Sequence, residues 1–158
     1  MSRVHIAGMA ERTGTLVRGA RGTIAYLAPD LLPRRKDLSQ KYPVTHSSDM
    51  WGIGLIFYAL LVGAHPWTKA EPAEKYYASY LNRMHLRSYP WKLFPAELHV
   101  FLDRVFHASP VERCSLTELK AFLNTQWTST VPGVRARIEA MREASAKAQR
   151  SASKSSLV

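Results

Sequence analysis

The chain has 158 residues, 46% of them hydrophobic, with 22 basic and 12 acidic side chains and a formal charge of +10. This is enough chain for one hydrophobic core, and too apolar a chain to be disordered throughout. A single cysteine, Cys114, excludes an internal disulfide and fits a reducing compartment.

Residues 3–7 suit a short strand. From Gly8 to Asp30 the chain is rich in Gly, Thr and Arg without a helical or strand period and reads as a loop, and residues 31–46 read as a second irregular connection. A helix is predicted from Ser47-Ser48-Asp49, with Ser47 or Ser48 as its cap and acidic Asp49 at its positive end. Its body, Met50 to Val62, is apolar nearly all round, which predicts burial on most sides and a place at the centre; Gly63 supplies the stop. Pro72 is expected to open a second helix with Tyr76, Tyr77, Tyr80, Leu81 and Met84 on one face. Pro95 opens a third, whose stripe is Leu98, Phe101, Leu102, Val105 and Phe106. Ser115-Leu116-Thr117-Glu118 is a capping box, and the helix behind it presents Leu116, Leu119, Phe122 and Leu123.

From Ser129 the composition shifts to Ala, Ser, Arg and Lys. Val134, Ile138 and Met141 have helical spacing, but the face is thin for firm docking, and residues 150–158 read as disordered. The predicted fold class is mainly α. Its parts are a loop-rich segment with a strand remnant (1–30), a helical portion (31–127) and a basic tail, partly helical to disordered (128–158). No secretory h-region follows Met1, and the longest apolar run, Ile53 to Val62, falls far short of the roughly 20 residues that cross a bilayer. The expectation is an intracellular protein, cytoplasmic or nuclear, with no membrane partner. The basic surplus could serve nucleic acid, an acidic membrane or an acidic substrate, but the favoured reading is solvated Lys and Arg on helix faces. Without an aromatic-interleaved basic run or zinc-finger spacing, nucleic-acid binding is the less favoured reading.

Three blocks in fixed order carry the functional signal: Gly22-Thr23-Ile24-Ala25-Tyr26-Leu27-Ala28-Pro29-Asp30, then Asp49-Met50-Trp51-Gly52-Ile53-Gly54, then Pro110-Val111-Glu112-Arg113. Gly63-Ala64-His65-Pro66-Trp67 lies between the second and the third. Together they resemble the later part of a eukaryotic protein kinase catalytic domain of the serine/threonine type. The resemblance covers roughly residues 4–127 and implies the large helical lobe without the β-rich small lobe. It makes Gly22, Thr23 and Tyr26 remnants of a substrate-facing loop. Asp30, Arg113, Asp49, Trp51 and Gly54 become structural anchors, with Asp30 in place of the family glutamate that pairs with an arginine at the position of Arg113.

The family uses ATP and magnesium for protein phosphorylation. Val4-His5-Ile6-Ala7-Gly8-Met9-Ala10 reads like the family's metal-binding block with its Asp-Phe removed, and neither a Val-Ala-x-Lys nor a His-Arg-Asp occurs. The resemblance therefore implies no catalytic and no metal-binding residue in this chain, and no cofactor for it alone. It implies a truncated or degenerate relative that is inactive by itself, or a kinase-derived interaction module. Its partner would be another protein or the family's small lobe. Thr13 and Thr15, beside Arg12, Arg18 and Arg21, are candidate phosphorylation sites, the competing reading being unmodified loop residues. The six histidines show no metal-ligand spacing.

Overall fold

The computed structural model describes residues 15–18, 23–32 and 41–155, with side chains over 23–32 and 45–152. The expected strand at 3–7, the altered metal-binding block, Gly22 and Thr13 lie outside the described residues. The architecture is mainly helical. A two-stranded antiparallel ribbon, β1 (Thr15–Arg18) with β2 (Lys41–Val44), precedes five helices. These are α1 (His46–Val62), α2 (Lys75–Leu81), α3 (Ala96–Val105), α4 (Leu116–Thr125) and α5 (Trp127–Ser155).

The ribbon corrects the reading of both flanking segments as irregular. Its strands are four residues each, too short to show a period, and their register sets Leu16 opposite Pro43 and Val17 opposite Tyr42. Backbone pairing between distant segments creates such strands, and a proline is tolerated where a strand has only one partner.

Helix α1 is the hub, because its aromatic residues leave it in different directions. Trp51 packs against Trp67, Tyr77 and Phe106, with ring centroids 5.6, 6.2 and 5.3 Å away. Phe57 meets Phe101, Phe122 and Trp127, and Tyr58 meets Trp91 and Phe94. Gly54 permits the closest approach. A Cβ there would sit 2.0 Å from Val105 Cγ1, so only glycine lets α1 lie this close to α3. Gly63 ends the helix in the left-handed conformation at φ 74°.

One expectation for α1 is corrected. Neither Ser47 nor Ser48 caps it: the cap position is Thr45, which makes no side-chain capping bond. Ser47 is drawn away to Pro110 and Arg113. The helix is buried on most sides as expected, with one open side where Ile53, Ile56 and Leu60 form a stripe exposed by 38%, 50% and 69%. Spacing of apolar residues alone could not distinguish this uncovered side from the packed ones.

Helix α2 begins at Lys75 and not at Pro72, because the Glu74 carboxylate accepts from the Tyr77 backbone N–H at 2.7 Å and fixes the start there. Only Tyr77 and Tyr80 of its predicted face are buried; Tyr76, Leu81 and Met84 are exposed. The helix ends at Leu81, so Met84 falls in a separate 3-10 turn. Helix α3 buries Leu98, Phe101, Leu102 and Val105, with Phe106 buried just past its end. Helix α4 opens with the reciprocal Ser115–Glu118 capping box and buries Leu119 and Phe122, while Leu116 and Leu123 stay exposed.

The tail departs furthest from expectation. It is one helix to Ser155, so residues 150–155 are helical and not disordered, and it docks through Val131, Val134 and Ile138, all buried. Its neighbours are α1, α4 and the Trp91–Leu93 turn. A narrow stripe suffices because those neighbours form a valley around it. Arg142 donates to the Val62 carbonyl, supplying the unsatisfied C-terminal end of α1 with a cationic donor. No helix among the described residues is long and apolar enough to cross a membrane.

Candidate functional site

The loop that ends at Asp30 is pinned from below. Ile24–Tyr26 form a 3-10 turn, closed by the Tyr26 N–H on the Thr23 carbonyl at 2.9 Å. Leu27 and Ala28 then enter the core, and Asp30 turns toward Arg113. The Arg113 side chain has 0% exposure and its Nη2 donates to Asp30 Oδ1 at 2.8 Å, with Asp30 itself 18% exposed.

A guanidinium with no water must satisfy every donor within the protein, and this one does. Nε donates to the His107 carbonyl at 3.0 Å, Nη1 to the Ser47 carbonyl at 2.8 Å and its hydroxyl at 3.3 Å, and Nη2 also to the Ala108 carbonyl at 3.2 Å. The Trp51 ring lies 5.3 Å beneath the cation. Ser47 completes the knot by donating to the Pro110 carbonyl at 2.6 Å. Arg113 thus ties the loop end, the first turn of α1 and the 107–110 turn to one point. The short Asp30 carboxylate still reaches it.

The other singled-out residues divide into core and surface. Trp51 and Gly54 lie inside, at the α1–α3 contact and under Arg113. Asp49 is exposed in the first turn of α1, and none of the described residues hydrogen-bonds its carboxylate. Thr23 is exposed. Thr15 lies in β1, opposite Val44.

Tyr26 is 40% exposed, and its hydroxyl lies 3.2 Å from His65 Nε2 with the two rings edge to face. His65 and Ser47 are the residues that sequence reasoning did not assign to this site. No spacing signals either one, since each arrives from a segment remote in the chain.

Beside the knot, Pro29, Leu32, Ala70, Pro72, Tyr77 and Leu81 line a groove of about 460 Å³. Burial pushes the Tyr77 phenol up to about 12, opposed by Arg113 and reinforced by Asp30. Among the described residues no cluster of His, Cys, Asp or Glu could hold a metal. The arrangement positions a loop on a helical base.

A loop tied by a carboxylate–arginine pair to the start of a central helix, in this sequence order, is the arrangement that the resemblance to the kinase large lobe predicts. Residues 6–128 match the protein kinase domain family, and the chain belongs to that family. Among its relatives is serine/threonine-protein kinase SBK1 of Danio rerio, 30% identical over 124 residues, which cover 76% of this chain and 32% of the relative. SBK1 of Mus musculus is 28% identical over 144 residues, covering 85% and 34%. A serine/threonine-protein kinase H1 homolog of Danio rerio is 31% identical over 100 residues, covering 63% and 22%. The chain thus spans about a third or less of these relatives, and it is a kinase-like protein.

Proposed function

We propose that these residues form the substrate-facing base of a serine/threonine protein kinase and do not transfer phosphate by themselves. The observation that carries this reading is the Arg113 knot, which holds the 23–30 loop in a fixed place on the helical core. Such a base supplies orientation, one half of phosphoryl transfer. The other half needs a lysine on the phosphates, bound magnesium and a base for the substrate hydroxyl. The sequence holds neither a Val-Ala-x-Lys nor a His-Arg-Asp. Those groups must therefore come from other residues, on the same polypeptide or on a partner.

The test is direct. The purified 158-residue chain is incubated with radiolabelled Mg-ATP and a serine/threonine peptide library, with nucleotide binding followed by calorimetry. No binding and no labelling is the expected result. Phosphorylation that survives repurification, and is lost with no other change in a Thr23→Ala variant, would refute the inactivity. A second reading, a non-catalytic interaction module, is favoured by the exposed Ile53, Ile56 and Leu60 stripe. Capture of a specific partner that releases when these three are changed to glutamine would support it over the first.

A further inference from the structure

Away from the knot, two histidines, one buried and one half-buried, sit among aromatic rings. His85 lies in the Met84–Arg87 turn, is 3% exposed, and packs 4.7 Å from both Tyr80 and Trp91. His99 on α3 faces it at 6.4 Å, stacked at 20° over Trp91 and 5.8 Å from Phe94. Neither ring nitrogen of His85, nor Nδ1 of His99, has a hydrogen-bond partner. The Ser79 backbone approaches His85 and the Trp91 backbone approaches His99, but at those atoms neither completes a well-formed bond.

The carboxylate in reach is already engaged. Asp103 accepts from Arg83 at 2.5 Å and from the Tyr80 hydroxyl at 3.2 Å. The charged groups acting on the two rings are therefore Arg83, from the end of α2, and Asp103, from α3, with His99 acting on His85. Tyr58 of α1 lies beyond Trp91 and is kept neutral by burial, and the neighbouring Tyr80 phenol is likewise raised. A protonated imidazole carries two N–H donors and a full charge. Placed between Tyr80 and Trp91 the His85 imidazolium would be largely cut off from water, with no well-formed acceptor bond at either nitrogen to offset the burial of its charge.

We propose that His85 and His99 form an acid-sensitive latch, which holds α2 and residues 82–94 against α3 when neutral and releases them when protonated. The consequence reaches the candidate site, because Tyr77 and Leu81 of α2 form one wall of the groove whose other wall is Pro29 and Leu32. Release of α2 opens that groove. The latch does not depend on whether the chain is catalytic.

The direction of the effect is fixed by linkage. Burial lowers the proton affinity of both rings in the closed state, more than Asp103 raises it. The open state therefore binds protons first. Stability is fully present above the ordinary histidine value of about 6.5, and falls below it by up to about tenfold per pH unit for each ring.

Hydrogen exchange of the full chain, measured from pH 7.5 to 5.0 and corrected for intrinsic rates, reads the latch. The expected result is loss of protection across residues 75–94 below pH 6.5, with α4 unchanged, and suppression of that loss in His85→Phe. Equal loss in His85→Phe and wild type would overturn the proposal. Should that variant not fold, the His85 ring-proton titration by NMR decides. A midpoint at or above 6.5 with the fold intact, or opening of 75–94 before the ring titrates, refutes the latch, and a midpoint well below 6.5 with opening of 75–94 coincident with it supports the latch.

Discussion

Arg113 holds its charge in a waterless site because the backbone and Asp30 accept from all of its nitrogens. Removing one partner of such a pair costs about 3–5 kcal/mol, since the other charge is left buried. Asp30→Ala should therefore destabilise the chain toward the lower end of that range, because Asp30 is partly hydrated at 18% exposure. Arg113→Lys should cost nearly as much. An ammonium cannot divide its donors among Ser47, His107, Ala108 and Asp30 as the planar fork does. Urea unfolding followed by tryptophan fluorescence checks both, and near-wild-type midpoints would contradict the assignment. The Asp30–Arg113 order was legible because chain order and residue type carry it. The parts taken by Ser47 and His65 were not, since hydroxyl and imidazole partners here depend on which distant turns meet.

At the scale of elements, the glycines of α1 make opposite demands. A methyl group at Gly54 collides with Val105, whereas one at Gly52 meets nothing within 4 Å. Gly54→Ala should cost about 1–3 kcal/mol through forced separation of α1 and α3. Gly52→Ala should gain about 0.5–1 kcal/mol from reduced backbone entropy in the unfolded chain and better helix propensity. Thermal melts of the two variants moving in opposite directions is the expected outcome. Helices α3 and α4 were readable from the sequence because a stripe at helical spacing and a capping box are local codes. The start of α2, the β1–β2 ribbon and the docking of α5 were not local. They depend on a glutamate carboxylate reaching a backbone amide, on pairing between distant strands, and on a valley that only the assembled α1 and α4 provide.

For the molecule as a whole, the unpacked side of α1 decides behaviour in solution. Ile53, Ile56 and Leu60 line one face of a helix that is otherwise the hub of the core. Side chains of that size in contact with water promote association. Changing all three to glutamine should reduce binding of a hydrophobic dye and raise the concentration at which the chain stays monodisperse, with little change in melting temperature. A large drop in stability would instead show that the stripe is packed in solution. The family was legible from three ordered blocks, and an open apolar face on the central helix was expected from the small lobe and catalytic loop that the resemblance leaves out; which residues form it was not legible, because an apolar helix reads the same with or without a neighbour.

The Arg113 knot also bears on the order of events in folding. It joins residues as far apart in sequence as Asp30 and Arg113, separated by 83 positions, whereas the capping box of α4 closes over three. Contacts between such distant segments are made only after the entropy of closing the intervening chain has been overcome. The knot is therefore expected to close late, after the local helices have formed, and its bonds to act mainly as a brake on unfolding. On this route the 23–30 loop is the last segment to be fastened and the first to be let go.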